Sequence, residues 1–241
     1  MNVYFITGTS KGIGYELAIS LLNSDENNLI VGISRTNNIT HKNFIFIKTD
    51  LSNIEEIEDF EFNLFDNVKR LVLVNNAGII GDIKQTGKVS DKSIVDVYNI
   101  NTIAPSVLIN KFISQFQNND FEKIILNISS GAGRHTISSW ASYCASKSAL
   151  DMYSEVVFDE QKRIKRRKSV KVYSIAPGIV DTPMQDIIRN TTKEDFEFVD
   201  QFKEYKNKSM LTSANEVAEK LVEFLNNSNK YKRVIYDLRE L

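Results

Sequence analysis

Cysteine is almost missing from this chain: Cys144 is the single one among 241 residues. One thiol cannot close an intrachain disulfide or build a cysteine metal cluster, and the expectation is a cytoplasmic, reducing setting. An excess of one charge is missing too. Thirty Lys and Arg face thirty-one Asp and Glu, a net −1, which removes the bulk electrostatic argument for nucleic acid or an anionic membrane as partner. No run approaches the roughly 18 apolar residues of a membrane helix. The start, Met1-Asn-Val-Tyr-Phe-Ile-Thr-Gly8, has neither the basic flank nor the apolar length of a secretion signal. The two histidines, His41 and His135, lack an acidic cluster and give no convincing metal site. Repeats and low-complexity tracts are absent. What remains, 42% hydrophobic and 25% charged, suffices for one core, so residues 1–241 are expected to form a single domain.

Short apolar runs alternate with helical patterns. Val3–Thr7, Leu29–Ser34, Phe44–Lys48, Leu71–Val74, Lys123–Ile128, Val170–Ile175 and Arg233–Tyr236 are rich in Val, Ile and Phe, and several lack the alternation of a half-exposed strand. Gly12–Leu22, Asn53–Asn63, Asp91–Phe116, Trp140–Lys165 and Ser213–Leu225 read as helices, the last opened by a Ser213/Glu216 capping box. Seven strands alternating with helices imply right-handed crossovers: a doubly wound α/β fold with a seven-stranded parallel sheet covered on both faces. Residues 178–211 break the rhythm, and this long polar stretch is expected to form a mobile lid over a site. Of the ten glycines, Gly8, Gly12, Gly14, Gly78, Gly131, Gly133 and Gly178 fall at or just past the C-terminal ends of strands, the edge where open parallel sheets bind ligands.

Along that edge lie residues with chemistry. Thr7-Gly8-Thr9-Ser10-Lys11-Gly12-Ile13-Gly14 closes the first strand and opens the first helix. Glycines there let backbone close round a pyrophosphate at a helix N-terminus. An acidic residue ending the second strand would hold a ribose 2′-hydroxyl; this chain has Ser34-Arg35-Thr36 instead. With Lys11, Arg35 favours a 2′-phosphate, hence NADP(H). Asp50-Leu51 ends the third strand, where the carboxylate meets an adenine amino group or caps the next helix. Asn75-Asn76-Ala77-Gly78 ends the fourth with small residues suited to a ribose. Tyr143 and Lys147, four apart, share a helix face, and a cation beside a phenol favours phenolate. Nine tyrosines and 21 lysines yield about one such pair by chance, so the spacing alone proves nothing. Ser130 at the end of the fifth strand supplies the conjunction: two hydroxyls aimed at one carbonyl oxygen.

Thr7-Gly-xxx-Gly-Ile-Gly14, Asn75-Asn-Ala-Gly78, Asn101, Ser130, Tyr143-xxx-Lys147 and Pro177-Gly178-xxx-Thr182 together resemble the short-chain dehydrogenase/reductase family over nearly the whole chain. The resemblance implies that Tyr143 is the general acid, that Lys147 tunes it and binds the nicotinamide ribose, and that Ser130 holds the substrate oxygen. It implies further that Asn101 supports a water-linked proton relay and that Pro177-Gly178-Ile179-Val180, with Thr182, borders the nicotinamide. Pairing of the two long helices with their copies would give a homodimer or homotetramer. Trp140-Ala-Ser-Tyr-Cys-Ala-Ser-Lys-Ser-Ala-Leu-Asp-Met152, Pro177–Gln185 and Gly81-Asp82 are similar to the sepiapterin and benzil reductases within that family. Trp140 and Asp237, the aspartate near the C-terminus, are then substrate candidates.

The expectation is an NADP(H)-dependent carbonyl reductase acting on a 1,2-dicarbonyl or a pterin side-chain ketone. A 3-oxoacyl thioester reductase and a non-catalytic NADP(H)-binding regulator are the alternatives. The basic tract Lys162-Arg-Ile-Lys-Arg-Arg-Lys168 reads as a solvated helix end and Cys144 as a small apolar helix residue. Arg134 and His135 are left equally to substrate or to solvent.

Overall fold

The computed structural model describes residues 1–165 and 167–241. Its elements run β1 (Asn2–Thr7), α1 (Gly12–Ser24), β2 (Asn28–Ser34), β3 (Phe44–Lys48), α2 (Ile54–Glu58), β4 (Arg70–Asn75), α3 (Asp91–Tyr98), a π turn (Asn99–Ile103), α4 (Ala104–Phe116), β5 (Glu122–Ile128), α5 (Ala141–Gln161), β6 (Lys171–Ala176), β7 (Val180–Asp181), α6 (Pro183–Arg189), α7 (Val199–Asn207), β8 (Thr212–Ser213), α8 (Ala214–Asn226) and β9 (Ile235–Asp237). Seven strands form one parallel sheet in the order β3-β2-β1-β4-β5-β6-β9. The order reverses between β1 and β4, and a crevice opens at such a switch point beyond the strand ends.

The uninterrupted apolar runs follow from burial on both faces. Tyr4 and Ile6 of β1 point, with Val72, Val74, Ile124 and Leu126, into a core closed by α1 and α8 through Leu17, Leu21, Val217 and Leu221. Their neighbours Val3 and Phe5 point the other way, with Leu71, Leu73 and Ile125, onto Leu108, Ile109 and Phe112 of α4. Each fully buried side chain of this size contributes roughly 1.5–3 kcal/mol. A third cluster, which includes Ile80, Trp140, Tyr143, Ile188, Phe196 and Val199, sits over the C-terminal edge.

Local departures from the expected elements have physical reasons. The helix expected over Asn53–Asn63 stops at Glu58, because Phe60 and Phe62 both turn into the core while Glu61 stays out, an extended alternation that no helix provides. The helix expected over Asp91–Phe116 is interrupted by the π turn, where the Ala104 N–H reaches back five residues to the Asn99 carbonyl. The helix expected over Trp140–Lys165 ends at Gln161, whose side-chain oxygen accepts from the Val170 N–H at 2.9 Å and ties the chain to the start of β6. Of the basic tract, Arg166 lies outside the described residues; Lys162 pairs with Asp159 and covers the Phe158 ring. Ser213 and Glu216 do form the capping box of α8. The stretch 178–211 carries more order than its polar sequence suggests: α6 and α7 pack around Phe196, which is fully buried, and β7 pairs with β8 at its base. Among the described residues no helix is long and apolar enough to cross a membrane.

Candidate functional site

Beyond the strand ends lies one cleft of about 840 Å³. One flank is the turn between β1 and α1. Gly8 and Gly12 hold φ at +75° and +63°, values that a side chain resists. Gly14 faces inward instead: a Cβ there would stand 2.3 Å from the Asn76 amide nitrogen and 2.4 Å from the Gly8 carbonyl. It lets the helix start close on the strand and lines no part of the cleft. The candidates Gly8, Ser10, Lys11, Gly12 and Ile13 do line it, as do Ser34, Arg35, Asp50 and Leu51 beyond β2 and β3. Ser34 Oγ donates to the Thr36 carbonyl at 2.8 Å and meets Thr9 Oγ1 at 3.3 Å. Asp50 spends one oxygen on the Ser52 N–H and hydroxyl, at 2.9 and 2.8 Å, and is held below the usual carboxylate range despite partial burial, with Arg35 among the contributing charges. Asp50 therefore ties its own turn, and Asn53 is the residue that caps α2.

At the end of β4 the expected partner is off by one. Asn75 turns into the sheet, donating to Asn127 Oδ1 at 2.8 Å, and does not line the cleft. Asn76 does, and its amide ties the turn back to the carbonyls of Thr7 and Gly8 at 2.9 and 3.3 Å. Ala77 and Gly78 follow it along the cleft wall, and Pro177, Gly178, Ile179, Val180 and Thr182 form the facing wall.

At the centre, Tyr143 on α5 lines the cleft together with Ser130, which leaves β5 in an extended conformation and accepts from the Ala132 N–H at 3.2 Å. One turn on, Lys147 Nζ donates to the Ile128 carbonyl at 2.8 Å and stands 5.9 Å from the Tyr143 ring centre. Both residues are buried. Burial pushes the Tyr143 phenol up, opposed by the neighbouring Ser130 hydroxyl, and pulls Lys147 down to about 8, opposed by Asp151. The expected lowering of the phenol by its lysine does not appear: burial raises the phenol, and Ser130 is the group that acts against it. Asn101 sits in the π turn and is buried; its amide donates to the Ile79 carbonyl at 2.9 Å and to Ser146 Oγ at 3.0 Å, and accepts from the Ile79 N–H at 2.9 Å. It reaches α5 through Ser146, which donates to the Tyr143 carbonyl at 2.8 Å. A Cβ on Gly78 would lie 3.4 Å from both Asn101 Oδ1 and Lys147 Nζ, so the three meet at one point. A π turn inserted at such a point is common where helices carry chemistry.

The far end of the cleft is aromatic and apolar. Trp140 stacks on Phe196 with ring centres 5.4 Å apart and meets Tyr143 edge-on at 5.8 Å. Met184, Phe198, Phe202 and Tyr205 from α6, α7 and the turn between them complete that wall; Met184 lies in the Pro177–Gln185 motif, whereas the three aromatic residues carried no motif and only their placement in the 178–211 stretch hinted at them. Asp237 lines the cleft, but Arg239 takes both its oxygens, at 2.8 and 2.6 Å, and holds the carboxyl below its usual range. Arg134 and His135 do not line the cleft; Arg134 turns away to Asp151 and to the Tyr236 carbonyl. Cys144 is half-buried against the aromatic cluster, and burial raises its thiol, as for a small apolar residue.

A glycine turn at the mouth of a helix and a hydroxyl, phenol and ammonium thus share one cleft at the edge of a parallel sheet. The sequence pattern described as short chain dehydrogenase matches residues 2–193. The chain belongs to the short-chain dehydrogenase family. It is an oxidoreductase of that family, which uses a nicotinamide cofactor. It is 33% identical over 246 residues to the benzil reductase ((S)-benzoin forming) of Bacillus subtilis (strain 168), covering all of this chain and 99% of that protein. Sepiapterin reductase of Xenopus tropicalis is 34% identical over 129 residues, covering 52% of this chain and 47% of that one. A crystal structure of a short chain dehydrogenase/reductase from Saccharomyces cerevisiae superposes with a TM-score of 0.82 at 21% identity, over 99% of this chain and 96% of that chain; at that identity the likeness speaks for the fold. The cleft fits the family's cofactor: the positive-φ glycines leave backbone open at the helix mouth, and Lys11 in the β1–α1 turn and Arg35 just past β2 both line it.

Proposed function

We propose that the protein is an NADP(H)-dependent carbonyl reductase whose substrate is a ketone beside a second carbonyl, of the benzil type. The observation that carries the reading is the convergence of Ser130 and Tyr143 on one wall of the cleft, with Lys147 buried one turn behind the phenol. Gly8, Ser10, Lys11, Gly12 and Ile13 would hold the pyrophosphate. Ser34 and Arg35 would hold the 2′-phosphate, Asp50 and Leu51 the adenine, and Ala77, Gly78, Tyr143 and Lys147 the riboses. The wall from Pro177 to Thr182 would border the nicotinamide, while Gly14 and Asn75 support the cradle from behind. A bound reduced nicotinamide supplies the hydride. Tyr143 gives its proton to the forming alkoxide, Ser130 steadies the charge developing on that oxygen, and the Lys147 ammonium favours the phenolate left behind. The Asn101 side chain is spent on Ile79 and Ser146, so its contribution to a proton relay is to fix the π turn against the site. The 178–211 stretch acts as the substrate lid, with Trp140 and the α7 aromatics covering the acceptor.

Two observations favour a dicarbonyl over a pterin. Asp237 would have to accept N–H bonds from a pterin ring, and Arg239 already occupies both its oxygens. The benzil reductase likeness spans the whole chain, whereas the sepiapterin reductase likenesses span half to two thirds of it. A reductase of 3-oxoacyl thioesters would need no aromatic wall, and a regulator would have no need to keep Ser130, Tyr143 and Lys147 together. A panel of benzil, diacetyl, sepiapterin and acetoacetyl thioester with NADPH tests this: the highest kcat/KM is expected for a vicinal diketone. Sepiapterin or the thioester in first place would replace the proposed substrate class.

For the cofactor, Arg35→Asp turns a cation beside a 2′-phosphate into a like charge. Loss of a charged hydrogen bond of about 1.5–3 kcal/mol should raise the KM for NADPH ten- to a hundredfold and leave that for NADH nearly unchanged. Equal changes for both cofactors would remove Arg35 from the phosphate. In assembly, the reading is a cytoplasmic homodimer or homotetramer joined through α4 and α5, where Ile103, Met152 and Val156 are exposed on or beside those helices. Light scattering should give at least twice the 27.5 kDa of one chain; a monomer at micromolar concentration contradicts it.

A further inference from the structure

Behind Lys147 runs a row of charges that the proposed chemistry leaves without a task. Asp151 lies one turn further along α5 on the same face and is 8% exposed. Its carboxylate accepts from Ser174 Oγ of β6 at 2.6 Å and stands 3.4 Å from Arg134 Nε, in the turn after β5. Arg134 donates to the Tyr236 carbonyl at 3.2 Å and lies close enough to Asp237 to help hold that carboxyl down. Asp237 in turn is clasped by Arg239. Lys147, Asp151, Arg134, Asp237 and Arg239 thus alternate in sign from beneath the phenol to the rim of the cleft.

Burying a carboxylate costs several kcal/mol unless it is paired and hydrogen-bonded; Asp151 meets that condition through Ser174 and Arg134, while the neighbouring α5 positions Leu150 and Ser154 carry no charge. The group that needs a nearby anion is Lys147, an ammonium only 4% exposed that donates to one carbonyl, Ile128. We infer that Asp151, braced by Ser174 and Arg134, is a positioning residue that keeps Lys147 an ammonium beneath Tyr143, with Arg134 setting how much of the Asp151 charge reaches it. The inference rests on the reading of Tyr143 and Lys147 given above.

The surroundings of Lys147 agree in sign. Burial lowers it to about 8, and Asp151 is the charge acting against that fall. The other groups at this part of α5 are Tyr143 and Cys144 on the helix itself, Ser130 and Arg134 from the turn after β5, the uncharged Asn101 from the π turn, Ser174 from β6, and Asp237 with Arg239 at β9. On α3, which also packs against α5, Asp96 is paired with Lys92 at the surface. A cation with a midpoint near 8 is held at neutral pH by about tenfold. Reduction should therefore be steady below that midpoint and fall about tenfold per pH unit above it, as the ammonium is lost.

The test reads Lys147 directly. In protein labelled at the lysine side chains, the Lys147 signal, assigned by its loss in Lys147→Met, is titrated by NMR, and the pH profile of diketone reduction is taken in parallel. Asp151→Asn keeps the shape and an oxygen for Ser174; its Lys147 midpoint should drop by about one pH unit, and the fall in activity should move down with it. Arg134→Gln should move both the opposite way, and Asp151→Glu should return them toward the parent. An unmoved Lys147 midpoint in Asp151→Asn, or a shift of the same sign in Asp151→Asn and Arg134→Gln, overturns the inference. If Asp151→Asn does not fold, the upward shift in Arg134→Gln still decides it. A Lys147 midpoint that moves as stated while the activity profile stays put leaves the inference standing and removes Lys147 from the proton chemistry.

Discussion

Tyr143→Phe is expected to bind NADPH as tightly as the parent, by fluorescence titration, and to lose a hundredfold to ten-thousandfold of its turnover. The change deletes one oxygen and keeps the ring, so the edge-on contact with Trp140 at 5.8 Å and the burial of the site survive. What disappears is the proposed proton donor beside Ser130 on the cleft wall, and loss of a general acid costs about 10²–10⁴ in rate. The loss should fall on kcat rather than on the KM for NADPH, because the proton is needed only as the alkoxide forms. Burial raises the phenol of Tyr143, so the parent keeps that proton throughout the neutral range. Turnover equal to that of the parent would pass the proton to Ser130 or to solvent.

Lys147→Ala should be worse, failing on both counts. Its ammonium bonds the Ile128 carbonyl at 2.8 Å and meets Asn101 at Gly78, where the ribose is proposed to lie. Removing it leaves a buried carbonyl unpaired and the ribose without its donor, each loss of about 1–3 kcal/mol. NADPH affinity should fall at least tenfold, and turnover at saturating cofactor should fall by about 10² or more. A variant that loses turnover but binds NADPH normally would confine Lys147 to the chemistry and free the ribose of it.

The sheet was readable in the sequence because strands buried on both faces leave an apolar run that side-chain period cannot disguise. Val3 and Tyr4 serve opposite cores, and both must be apolar. The conjunction of Ser130, Tyr143 and Lys147 was readable because strand ends and helix starts converge on one edge of such a sheet. Details that depend on one residue of phase were not. Asn75 and Asn76 are identical in the sequence, yet strand parity sends the first into the sheet and the second to the cleft. Nothing in the periodicity of Asp91–Phe116 announces the π turn that carries Asn101, since a single wide turn adds one residue to a pattern that tolerates drift. Phe60 and Phe62 read as easily on a helix as on an extended segment, and the neighbouring core, with Phe112 at 5.6 Å from Phe62, decided for the latter. The pairing of Asp237 with Arg239, two residues on, and the turn of Arg134 toward Asp151 are tertiary facts, visible only once β9 lies beside β6.

The central claim is that this edge of the sheet passes a hydride and a proton to one carbonyl of a vicinal pair. The most direct measurement mixes the parent protein with equimolar NADPH and excess benzil, follows nicotinamide absorbance, and identifies the product by chromatography. The account predicts one benzoin for each NADPH consumed, with the product stopping at the hydroxyketone and with NADH a poorer donor. Tight NADPH binding with no absorbance change, for benzil and for smaller diketones alike, would contradict it and leave a cofactor-binding protein that does no reduction.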